Sequence, residues 1–138
     1  MNRTAPAVIV RGGRDVAIVL ALGRRVTLLS AAGAAAFAGP LWWAALVRHA
    51  RAKHPDLVAF DILDVADAPA TALAAFRCGC RAVALDAACP AWCGVVSVAR
   101  DVGAALLDAV PPALDLAEPG AARRLAAWLA GDIGDGAG

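Results

Sequence analysis

The sequence predicts an α/β fold: a mixed sheet with an antiparallel start, followed by parallel βαβαβα units with helices packed on the sheet. Three observations carry this. From Leu57 onward, short apolar runs alternate with helix-length segments: LVAFDIL, APATALAAFRC, RAVAL, PAWCGVVSVARDV, AALL. Such alternation implies parallel strands joined by right-handed crossovers. Before it, apolar runs sit close together between Gly-rich turns. Finally, a chain of 138 residues suits one domain with a real core.

Taken in order, Val8-Ile9-Val10 reads as a strand, Gly12-Gly13 as a turn, and Val16 to Leu22 (VAIVLAL) as a second strand, because β-branched residues dominate both runs. Val26 to Ser30 (VTLLS) is a third. Links this short point to a hairpin or meander rather than parallel crossovers. A small-residue loop leads to Pro40, a good first helical residue. The helix LWWAALVRHARAKH follows and stops by Pro55, with Trp42, Leu46 and Ala50 on one face. Gly79 and Gly103 suit the left-handed position after the next two helices. The last helix is GAARRLAAWLA. The α/β domain is expected to span 1–130, and the Gly/Asp-rich stretch 131–138 reads as a disordered tail.

Composition excludes some roles. The chain is 61% apolar and 18% charged, with a net charge of +1. Basic residues are scattered, so no nucleic-acid partner is expected. Val26 to Val47 carries no charge and has the length of a membrane span. Its Ala/Gly content and the Gly39-Pro40 break argue for a strand, a loop and a helix start instead. No membrane partner is expected, and the compartment is read as cytoplasmic.

Two patterns bear on chemistry. The later strands each end in Leu-Asp: Leu63-Asp64, Leu85-Asp86 and Leu107-Asp108. Ser30 ends the preceding strand in the same way. In open α/β sheets ligands bind beyond the carboxyl ends of strands, so Ser30, Asp64, Asp86 and Asp108 form a candidate polar edge if their strands are neighbours. The bland alternative is that each Asp orders its own turn. Asp61, inside a strand, alternates with Val58, Phe60 and Ile62.

The four cysteines all fall in CGCRAVALDAACPAWC. The strand RAVAL covers about 16 Å, at roughly 3.3 Å per residue. It separates Cys78 and Cys80 from Cys89 and Cys93, and zinc–sulfur bonds of about 2.3 Å cannot bridge that gap. No metal site is expected. Cys78 and Cys80 read as small apolar filler. Cys89, just before Pro90, reads as a helix N-cap with Cys93 one turn on, where a thiolate would be stabilised.

At the level of fold, the order of elements resembles sulfate-transporter/anti-sigma-antagonist (STAS) domains and flavodoxin-like folds. The phosphorylatable serine of the former has no counterpart, because Ala87, Ala88 and Cys89 occupy that region. No motif names a cofactor. The leading expectation is a non-enzymatic regulatory or interaction module that forms homo-oligomers, with Trp42, Trp43 or Trp128 as contacts. The alternatives are a small-ligand or cation site at the carboxyl edge, and a thiol-dependent enzyme using Cys89.

Overall fold

The computed structural model describes residues 5–131. The tail expected over 131–138 lies outside them except for Gly131, which sits in a turn. The elements are β1 (Ala7–Val10), α1 (Gly13–Leu20), β2 (Val26–Ser30), α2 (Ala35–Ala38), α3 (Pro40–Lys53), β3 (Val58–Asp64), α4 (Pro69–Arg77), β4 (Ala82–Ala84), α5 (Trp92–Val102), β5 (Ala105–Leu107), β6 (Ala113–Asp115) and α6 (Ala121–Ala130). The six strands form one sheet in the order β5-β4-β3-β2-β1-β6. Every pairing is parallel.

The antiparallel start is therefore corrected. VAIVLAL is not a strand; most of it lies in helix α1, which carries the chain from β1 to a parallel β2. Val16, Val19 and Leu20 face the core, while Ile18 and Leu22 are exposed. That i, i+3, i+4 spacing is helical, and it is masked by β-branched residues. The tertiary need for a crossover overrides local strand preference. The strand order also differs from the 2-1-3-4-5 order of flavodoxin-like sheets. The uncharged stretch 26–47 is β2, α2 and the first half of α3. Among the described residues no helix is long and apolar enough to cross a membrane.

All the helices lie on one face. Val16 and Val19 of α1, Trp43 and Val47 of α3, Ala72 and Phe76 of α4, Val95 of α5 and Leu125 of α6 share a single core with Val8, Leu28, Leu63, Val83 and Leu114 from the strands. α3 buries Trp43, Val47 and Ala50, one position round from the expected stripe of Trp42, Leu46 and Ala50. Gly103 ends α5 in the left-handed region, at φ 72°, where a side chain would be strained.

Among the described residues the opposite face has no helix. Its floor is Leu29, Ile62 and Ala84, edged by Ile9, Ala82, Leu107 and Ala113. Among the described residues the chain crosses it once, through residues 108–112 between β5 and β6, which are the two outer strands. The direction of travel explains why. Stepping from β1 to β5, right-handed crossovers place helices on one face. The step back to β6 runs the other way, so a right-handed connection must pass over the other face. Laid flat, five strand spacings of about 4.8 Å would set β5 roughly 24 Å from β6. The chain from Leu107 to Ala113 reaches only about 20–22 Å. The sheet must therefore curl toward this strap into a trough. The curl accounts for Leu29 and Ile62, only 1% and 5% exposed without a helix over them.

β3 carries one further adjustment. Val26 pairs with Val58, but Thr27 pairs with Phe60, so Ala59 is an extra residue. Such a bulge resets the alternation. Asp61 consequently joins Val58 on the helix side, while Phe60 and Ile62 face the trough.

Candidate functional site: a quiet polar edge and an apolar flank

The carboxyl edge brings Ser30 and Asp64 into direct contact. The Asp64 backbone N–H donates to Ser30 Oγ at 2.9 Å, and that hydroxyl donates to the Ala31 carbonyl at 3.1 Å. Asp64 Oδ1 accepts from the Ala66 N–H at 2.9 Å, and Asp86 Oδ1 accepts from the Ala88 N–H at 2.9 Å. These are turns in which an aspartate orders the chain two residues on. Ala66 adopts a left-handed conformation at φ 56°, and its carbonyl accepts from the Asp86 N–H at 2.8 Å. The edge is thus laced together, with Ser30 Oγ and one carboxylate oxygen each of Asp64 and Asp86 engaged in turns.

Asp108 does not join this series. It is exposed, and the third such turn belongs to Asp115 at the end of β6, whose Oδ1 accepts from the Ala117 N–H at 2.9 Å. Sequence spacing missed it because β6 is three residues long and follows Pro111-Pro112 with no periodic signal. Asp115 also binds both guanidinium nitrogens of Arg11, at 2.5 and 3.0 Å. The Arg11 hydrogen bond holds the Asp115 carboxyl below its ordinary value and raises the guanidinium's. Arg11 is fixed in turn by its backbone N–H, which donates to Asp15 Oδ2 at 2.9 Å. Among the described residues no three His, Cys, Asp or Glu side chains gather closely enough to hold a metal ion.

The cysteines divide into two pairs, all four of them free. Cys80 is buried; desolvation, assisted by Asp61 and Cys78, pushes its thiol up to about 12. It is an inert filler. Cys89 is not an N-cap. Asp86 ties the next residues into a turn, its carbonyl accepting from the Cys89 N–H at 3.0 Å, and the helix begins only at Trp92. Cys89 is half-buried against the core, whereas Cys93 is exposed in the first helical turn.

The tryptophans are largely used inside the fold. Trp43 is fully enclosed, its indole N–H without a partner. Trp42 packs beside it, ring centroids 5.9 Å apart. The half-buried Trp128 donates its indole N–H to the Ala7 carbonyl at 2.8 Å and pins α6 to β1.

The cavities lie away from the polar edge, and the largest among the described residues, about 830 Å³, opens near the amino ends of the strands beside Arg24, Arg25, Ala59 and Phe60. One of about 390 Å³ opens on the trough beside the strap, lined by Phe60, Ile62, Ala82, Ala105, Leu107, Ala109, Val110 and Pro111, without a polar side chain. Phe60 forms its lip at 54% exposure, and Val110 of the strap is 40% exposed. A smaller one of about 270 Å³ lies on the helix side, where Asp61 accepts from Arg51 Nη2 at 2.7 Å while Arg51 Nη1 holds the Val58 carbonyl at 2.7 Å. No protein family and no curated protein matches the chain.

Proposed function

We propose that this chain is a non-enzymatic α/β module that works by self-association through the apolar flank made by β5, the strap and Phe60. The observation that carries this reading is the groove of about 390 Å³, which has no polar side chain to orient a substrate yet keeps large apolar groups at its lip. Ligand sites normally combine apolar walls with a few placed polar groups. Exposed apolar patches more often mark protein contacts. A polar-ligand site at Ser30, Asp64 and Asp86 is the weaker reading, because those groups hold their own turns. A thiol enzyme is weaker again, with Cys89 packed in a turn.

Sedimentation velocity across a concentration series tests this. The expected result is a reversible shift from monomer to dimer, moved to at least tenfold higher concentration by Phe60→Asp. A wild-type chain that stays monomeric at several hundred micromolar would remove the proposal.

A further inference from the structure

Resting on the self-association reading, we infer that the partner is a second copy joined at the β5 edge, with Leu106 on the two-fold axis. β5 has a neighbour on one side only. On that side the Ala105 N–H donates to the Arg81 carbonyl at 2.8 Å, and the Leu107 carbonyl accepts from the Leu85 N–H at 3.0 Å. Residues alternate in the direction of their backbone groups along a strand. Residues 105 and 107 thus bond inward to β4, and Leu106 aims its N–H and carbonyl at the open edge. Two antiparallel copies of β5 centred on Leu106 exchange both bonds between the two Leu106 residues, as a hydrogen-bonded pair does. Such a contact is self-complementary, as two-fold symmetry requires.

The surroundings fit the same axis. Proteins protect exposed edges with charge, proline or cover. β5 is Ala-Leu-Leu with none of these within it. β6, the other outer strand, enters from Pro111-Pro112 and ends at Asp115, which is locked to Arg11. Pairing through β5 alone uses the same edge of both copies, so association there closes at two copies instead of running on as a filament. On the helix side, α5 borders the open edge and exposes Gly94, Val98 and Val102, one turn apart, with Val98 36% and Val102 55% exposed. A two-fold axis perpendicular to the sheet keeps helices on a common face and runs the two α5 helices antiparallel. With Val98 central, Val102 of one copy meets the side-chain-free Gly94 of the other. No atom outside the neighbouring backbone lies within 4 Å of where a Gly94 Cβ would be. The stripe carries no charge, and a net charge of +1 per chain sets little repulsion against pairing.

Residue-resolved amide exchange by NMR tests this on the unmodified chain. Raising the concentration from mainly monomer to mainly dimer should slow exchange of the Leu106 amide at least tenfold, while Ala105, already bonded to β4, changes little. Val98→Lys together with Val102→Lys, both at exposed helical positions, should raise the dissociation constant at least a hundredfold with an unchanged circular dichroism spectrum. Arg124→Glu on α6 should leave it within about twofold. A dimer in which the Leu106 amide stays unprotected, or which survives the double lysine change, overturns the β5 assignment and leaves self-association standing. Absence of any dimer removes both.

Discussion

The two faces of the sheet solve the same burial problem in different ways. On one, helices bring Trp43, Val47, Phe76 and Leu125 down onto Leu28, Leu63 and Val83. On the other, a five-residue strap and the curl of the sheet enclose Leu29, Ile62 and Ala84. The second solution works because its neighbours are small, with Ala82, Ala105 and Ala113 along the wall. It is incomplete where Phe60 stands at the lip. Each face has a polar tie: Arg51–Asp61 among the helices, where Arg124 of α6 also pairs with Glu118, and Arg11–Asp115 at the mouth of the trough. The contrast teaches that the deeply packed core is concentrated on the helix side, while the trough side leaves large apolar groups such as Phe60 exposed.

The largest expected effect follows from that division. Leu28→Ala removes a fully buried side chain beneath the helices and should cost about 2–5 kcal/mol, read by urea denaturation. Phe60→Ala at the trough lip should cost less than about 1 kcal/mol. Equal losses would break the contrast. Next comes the tie on the helix side. Asp61 is buried and Arg51 only partly so; Asp61→Ala leaves the guanidinium with one partner fewer and should cost about 1–2 kcal/mol. A neutral result would mean that water replaces the carboxylate freely. The smallest effect belongs to Asp115→Asn, at less than about 1 kcal/mol near pH 7, since the pair is largely solvated. Its sign with pH is fixed. Arg11 lowers the Asp115 carboxyl in the folded state, so the contribution is present above the ordinary carboxylate value near 4 and is lost as pH falls through the lower folded one. The gap between wild type and variant should therefore close on acidification; a gap that widens toward acid contradicts the assignment.

Much of the architecture is legible in the residues. β1, β2, α3, the alternation from β3 to β5 and α6 all follow from turn residues and periodicity. VAIVLAL is not, because its β-branched content favours a strand locally while the crossover demands a helix globally. β6 is hidden for a different reason: three residues after two prolines carry too little pattern to register. The Asp series is half legible. Asp64 and Asp86 stand where the Leu-Asp repeat puts them, but the third turn passes to Asp115, since the chain leaves β5 over the bare face and Asp108 has no following helix to order. The bulge at Ala59 likewise turns Asp61 toward Arg51, which strand alternation by itself does not foretell. The apolar flank needed the strand order, because only that identifies β5 as an outer strand.

Pairing β1 with β6 joins Ala7 to Ala113, and Trp128 reaches back to Ala7 across 121 positions. Each earlier strand pair can form as soon as its own βα unit leaves the ribosome. The outer side of β1, made first, has to wait for nearly the whole chain. Contacts of such high sequence separation form slowly, so during synthesis β1 and β2 stand as a growing sheet with an uncovered flank. The prolines before β6 and the ion pair at its end belong to this late stage, and a chain truncated before Asp108 would present the apolar trough with neither strap nor closing strand.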